Sequence, residues 1–273
     1  MATGSMKAKV LRLAYGGLIV VILLYVTLPS IVVIITAFSD KALLTFPPTG
    51  FSLRWFERAL TYEDFRNGML NGALITGWAS VIALVCGTLA AFAIERFEFP
   101  GRRALEAILL SPLVVPHFTL GIAMLIVASE ISLSRTYTLV VICHVILVLP
   151  FVMRSVYVSL KNIDPALERA AASLGACPLA VFLRIDVPLL APGLAGGWLF
   201  AAILSFNEFT ATLFVSGQRT QTLPVAMYTY VREYADPTMA AVSSLLIAAT
   251  ILFLVAANRW LGLERILSIE SGR

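Results

Sequence analysis

The stretch KNIDPALERAAASLGACPLAVFLRIDVPLLAPG, residues 161–193, is a polar two-helix insertion in an otherwise apolar chain. Asp164 can accept an N–H from a first helical turn, and Pro165 fits that turn because its missing N–H would be unpaired there anyway. PALERAAASL is therefore predicted helical. Gly175 ends the helix, since glycine takes the left-handed conformation without strain. Pro178 then opens a second helix, whose Leu179, Phe182 and Leu183 fall at i, i+3 and i+4 and give it one apolar face. Ala170, Ala171 and Ala172 keep the first helix thin enough for close approach. A pair built this way calls for a partner surface.

Composition sets the solvent. The 273 residues are 59% hydrophobic and 13% charged, with a mean hydropathy of +0.91. A soluble globule carries about 25% charged residues, so the chain is predicted to be an all-α polytopic membrane protein. Runs long enough for a hydrocarbon core of about 30 Å lie at 13–38, 68–94, 104–129, 137–153, 189–215 and 238–260. These make six spans in one membrane domain, residues 1–273, with the two-helix loop at about 154–188 between the fourth and fifth. Residues 1–5, MATGS before Met6, are set aside as a tag or an upstream start.

Lysine and arginine fix the expected orientation. With both termini in the cytoplasm, the inner segments hold thirteen of the 20 basic residues, among them Arg96, Arg102, Arg103, Arg154, Lys161, Arg169 and Arg184. The same choice puts the loop at 154–188 in the cytoplasm, where ATP is. Outside, Ser52 can cap a short helix that carries Leu53, Phe56 and Leu60 on one face with Trp55 at the interface. Pro224 begins a second amphipathic segment, and Asp236-Pro237 starts the last span.

Within the spans, Gly68/Gly72 and Gly193/Gly197 have the GxxxG spacing that lets helices cross closely, either inside the subunit or against another subunit. Pro112 and Pro116 bend the third span. The fifth contains LSFNEFTATLF, and at 1.5 Å per residue from Leu190 the carboxylate of Glu208 lies about 27 Å along it, in the outer third of the membrane. An ionisable group there must line water or find a partner. Ser205, Asn207 and Glu208 are accordingly candidate pathway residues, a salt bridge or an interfacial position being the alternative for Glu208. His117 and His144 read as interhelical hydrogen-bonding groups.

Catalytic chemistry has no motif here. No glycine precedes a lysine, which excludes a Walker A loop, and HExxH, GxSxG and paired-cysteine metal spacings are missing. Cys86, Cys143 and Cys177 lie in two spans and the loop, so packing is their expected role rather than a disulfide framework.

Arg169-Ala170-Ala171, then Gly175, then nine residues and Ile185-Asp186-Val187-Pro188 resemble the EAA loop of type I ABC importer permeases. In that motif Glu-Ala-Ala is followed by Gly and by Ile-x-Leu-Pro at this spacing; here Arg169 replaces the glutamate, Glu168 precedes it, and Val187 replaces the leucine. The likeness runs over almost the whole chain. FPPTGFSLRWF, RFEFPGRR, SPLVVPHFTLGIAM, SFNEFTATLFVSG and TLPVAMYTYV resemble the second permease of polyamine-type importers, a group that also handles 2-aminoethylphosphonate and opines.

That resemblance implies the MetI-like permease fold of six helices and a cytoplasmic coupling loop, in the bacterial inner membrane. It makes Asp164, Glu168, Arg169, Ala170, Ala171, Gly175, Ile185 and Pro188 the ATPase-coupling residues. It implies a second permease as heterodimer partner, an ABC ATPase dimer holding ATP and Mg, an external solute-binding protein and a small aminated, polyamine-like solute. No cofactor, metal or nucleic acid is expected on this chain. In polyamine permeases an aspartate follows two residues after the serine matching Ser205, and this chain has Asn207 there. An aminoethylphosphonate, opine or other small organic solute is therefore the alternative. An ion-coupled secondary transporter would show inverted repeats and broken helices with midplane charges, and neither it nor a channel explains the loop.

Overall fold

The computed structural model describes residues 2–42 and 45–261. Among them the regular structure is helical, apart from a single bridge between Ser39 and Phe51. The helices are α1 (Ala2–Ala37), α2 (Arg54–Thr61), α3 (Glu63–Arg96), α4 (Arg102–Leu110), α5 (His117–Glu130), α6 (Tyr137–Lys161), α7 (Pro165–Ser173), α8 (Pro178–Val181), α9 (Val187–Phe206), α10 (Thr212–Val215), α11 (Leu223–Glu233) and α12 (Thr238–Leu261). Among the described residues, five helical stretches are long and apolar enough to cross a membrane, and a bent pair makes six if it counts as one span. The chain divides into two compact units, Met1–Tyr62 with Tyr230–Leu252 and Glu63–Thr229 with Phe253–Arg273.

In the first unit, the chain leaves α1 through a turn pinned by the indole of Trp55, whose Nε1–H donates to the Ser39 carbonyl at 2.7 Å. Trp55 is thereby buried instead of sitting at an interface, because satisfying its N–H inside lets the whole ring pack. Leu53, at the cap of α2, and Leu60, within it, remain exposed. The Ser52 hydroxyl accepts the Arg54 N–H at 3.2 Å, while Leu53 holds the cap position. Asp236 ties the unit together. It accepts the Thr238 N–H at 2.9 Å to start α12, the Tyr230 hydroxyl at 3.0 Å, and an ion pair from Arg58 at 3.3 Å.

The core of the second unit is α3, α6 and α9, packed against one another. On α3 the inward seam is Gly68, Gly72, Ile75, Ala79, Ala83, Gly87 and Ala91, mostly four residues apart and all buried. Small residues at that spacing bring backbones together, and the facing seam of α6 supplies Val148, Val152, Val156 and Leu160. A Cβ on Gly87 would lie 3.0 Å from Val152 Cγ1, so the contact admits glycine alone without a shift. Both GxxxG pairs pack inside the subunit: Gly68 lies against the backbone of Leu223, Gly72 against Phe206, Gly193 against Ser159 and Gly197 against Ser155.

Three spans differ from their expected form. The third is broken by 107° between Arg102–Leu113 and His117–Glu130, because Pro116 has extended backbone and cannot continue the helix before it. The fourth is longer, reaching Lys161. The fifth stops at Phe206 instead of 215, since Asn207 caps it, and a separate turn of helix, α10, follows. Its beginning differs too. The second loop helix does not end before the span: α8 passes through a π-helical turn, Phe182–Asp186, directly into α9.

Candidate functional site: a docking loop and a polar cluster

The first half of the loop folds by local rules. Asp164 Oδ1 accepts the Ala166 N–H at 2.8 Å, and Pro165 occupies the first helical position. At the other end Gly175 has φ +88°, its N–H bonds to Ala172 O, and Ala176 N–H bonds to Ala171 O. Those two bonds are the Schellman closure, which pairs the last carbonyls of α7. Around the closed turn Leu167, Leu174, Leu179 and Leu183 are exposed, Leu174 by 90%. Asp164, Arg169, Ala170, Gly175 and Pro188 are exposed as well, and Ala171 and Ile185 are half-buried.

Glu168 faces the other way. Its carboxylate forms an ion pair with Arg96 at the end of α3, both side chains being largely buried. Phe182 is also turned inward, its ring meeting Phe92 edge-on at 5.1 Å, so it leaves the face that Leu179 and Leu183 present.

The second region lies where α5, α6 and α9 meet the turn after Phe206. Ser205 is 1% exposed and its hydroxyl contacts His144 Nδ1 at 2.8 Å and the Thr76 hydroxyl at 3.2 Å. His144 Nε2 lies 2.8 Å from Thr212 Oγ1, which donates to the Glu208 carbonyl at 3.1 Å. One assignment satisfies every group. The Thr212 proton goes to the carbonyl, so Thr212 accepts Nε2–H; Nδ1 then accepts from Ser205, which accepts from Thr76. Glu208 Oε1 accepts the Ala211 N–H at 2.7 Å, and Oε2 lies 2.9 Å from His117 Nδ1.

The structure thus brings Ser205 and Glu208 to one place, along with a cavity of about 50 Å³ lined by both histidines, Leu147 and Phe151. Asn207 does not join them: its amide donates to Ile203 O of its own helix at 2.8 Å. His117 and His144 serve as interhelical hydrogen-bonding groups, yet they also line the cavity, which one residue at a time in the sequence does not reveal. The signal was available in part, since His117 directly follows the helix-breaking Pro116. A larger cavity of about 660 Å³ opens between α6 and α9, lined by Arg154, Ser155, Ser159, Asn162, Gly196 and Phe200 among others. Phe151 borders both cavities, and its ring lies 5.4 Å from that of Phe200.

The chain is 24% identical over 247 residues to the spermidine/putrescine transport system permease protein PotC of Escherichia coli K12, covering 90% of this chain and 93% of the relative. It is 28% identical over 250 residues to the putative 2-aminoethylphosphonate transport system permease protein PhnV of Salmonella choleraesuis SC-B67, covering 89% and 93%. A chain of the bacterial alginate ABC transporter, solved in complex with an alginate pentasaccharide-bound periplasmic protein, superposes with a TM-score of 0.71 at 17% identity over 93% of this chain and 95% of that one. The fold is therefore that of ABC importer permeases. The sequence profile described as the binding-protein-dependent transport system inner membrane component matches residues 83–263, most of the chain, and the protein belongs to that family.

Proposed function

We propose that this permease forms half of the translocation pathway of an ATP-driven importer and receives a small aminated solute from an external binding protein. The docking loop carries the proposal. Exposed leucines on a turn that hydrogen bonds hold closed suit a protein partner, because apolar groups on a preformed mount bind with little ordering cost. That partner is an ABC ATPase dimer, which supplies the ATP and Mg chemistry for which this chain has no motif. A second permease completes the pathway as a heterodimer. The excess of basic residues on the loop side of the membrane supports a cytoplasmic position for the loop and both termini.

In this proposal the polar cluster is the membrane site for solute, and Glu208 supplies negative charge toward an amine. The relatives carry spermidine, putrescine or 2-aminoethylphosphonate in their names. A second reading, a zwitterionic aminophosphonate, is favoured by one observation. Both oxygens of Glu208 already have partners and Asn207 is an amide, so the site offers one carboxylate, already engaged, where a polyamine carries several cationic amines.

Two measurements test the proposal. The chain should co-purify with an ATPase and support ATP-dependent uptake in proteoliposomes, with hydrolysis stimulated by loaded binding protein; dependence on an ion gradient in place of ATP overturns it. Single cysteines, placed in a background without Cys86, Cys143 and Cys177, should label from outside at Thr61 and Gln218 and only from the cytoplasm at Asn162. External labelling at Asn162 overturns the orientation. A thermal-shift screen of the binding protein identifies the solute.

A further inference from the structure

The docking loop is fastened to α3 as well as to α9, through charged and aromatic contacts that lie away from its exposed face. Arg96, the last residue of α3, is largely buried and pairs with Glu168 of α7. Asp186, the last residue of the π-helical turn, is 2% exposed, leaves Oδ1 without a hydrogen-bond partner and lies within electrostatic reach of Glu168 and Arg96. One turn before Arg96, the ring of Phe92 meets Phe182 at the start of the same π turn.

The end of α3 therefore holds both halves of the loop: the Arg96 guanidinium pairs with the first docking helix, and Phe92 packs on the π turn that leads into α9. Buried carboxylates without a cation are expensive, and two of them together more so, which makes Arg96 the group that holds the arrangement. A π turn is a wide, weakly favoured form of helix that commonly marks a functional position. Here it is the one irregular segment between the docking face and the span.

We propose that Arg96 is a positioning residue for energy coupling: by clamping Glu168, beside the Phe92–Phe182 contact, it makes the docking loop move as one body with α3, so that force applied at the loop reaches the helical core. The inference rests on the ATPase-docking reading of the loop. It gives Glu168 a role inside the subunit, where the ion pair leaves it turned from the face that carries Leu167 and Leu174.

The test uses the complete importer, with its own ATPase, partner permease and binding protein, in proteoliposomes, and reads solute moved per ATP hydrolysed. R96Q should retain the ATPase through co-purification yet lose about tenfold in that ratio, a size typical of coupling between two sites. R96K keeps the charge and should recover most of the loss. A charge reversal, R96E with E168R, must be made in a D186N background, because Asp186 would otherwise repel the new carboxylate; it should also recover. If R96Q fails to insert, E168Q is read in its place, with the same loss expected. A wild-type ratio in R96Q or E168Q overturns the clamp, and so does a reversal variant no better than R96Q. A wild-type chain that binds no ATPase refutes the docking reading itself, a result distinct from either.

Discussion

Replacing Gly175 separates backbone conformation from sterics at the docking turn. An ideal Cβ on Gly175 would meet nothing within 4 Å, so a larger side chain has room. What it lacks is a comfortable backbone: φ is +88°, where an L residue costs about 1–2 kcal/mol and a β-branched one more. Gly175→Val should therefore cost about 2–3 kcal/mol of the closed turn, the upper part of the range for a residue held in a sparsely populated region. At 1.4 kcal/mol per tenfold, 2 kcal/mol lowers the population of the closed turn relative to the open one by roughly 30-fold. Gly175→Asn tolerates the left-handed region and should keep most of the function, with Gly175→Ala in between. The assay is stimulation of ATP hydrolysis by loaded binding protein, beside ATPase co-purification and the thermal midpoint of the permease. The midpoint should hold, because the turn is exposed and the apolar core of α3, α6 and α9 does not include it. Normal stimulation in the valine variant, or equal damage from asparagine and valine, would refute the backbone argument.

Glu208→Gln can still accept from Ala211 and bond to His117, so it removes charge while keeping shape; uptake should fall with binding-protein affinity unchanged, and uptake at the normal rate would make Glu208 structural. Gly193→Ala puts a methyl 2.7 Å from Ser159 Cβ, a contact that rotating the hydroxyl does not relieve, and should cost about 1–3 kcal/mol in unfolding measurements, with relief from Ser159→Gly.

How much of this was legible in the sequence follows from the range of the rule that decides each feature. Asp164, Pro165 and Gly175 act on neighbours within a few residues, and their helix start and glycine closure are found as predicted. The apolar runs mark spans for the same reason, since bilayer thickness is a constraint that each segment meets alone. The end of α9 was hidden because apolar residues continue to Val215, and only the capping geometry at Asn207 stops the helix. Trp55 was placed at an interface by residue type, whereas its burial depends on the Ser39 carbonyl 16 residues earlier. Pairings such as His117 with Glu208, 91 residues apart, and Glu168 with Arg96 have no local signature at all.

The irregular backbone of the second unit lies where a membrane permits it and where transport would use it. Broken helices are tolerated at membrane depth when protein or a water-lined cavity satisfies their free groups. His117 opens α5 immediately after the break at Pro116, Glu208 follows the end of α9, and each satisfies the other; the Ala211 N–H is taken by the same carboxylate. At the far end of α9 the docking loop is the other irregular element, and between the two the chain is continuous helix from Pro178 to Phe206. At 1.5 Å per residue that column is about 43 Å long, so a displacement at Leu179 arrives beside Ser205 through two soft points, the π turn and Pro192 inside α9. The ring of Phe92 meets that turn at Phe182, and Arg96 on the same helix holds α7 through Glu168. A lever is only as stiff as its softer segments, and the one next to the docking face is the one that α3 braces.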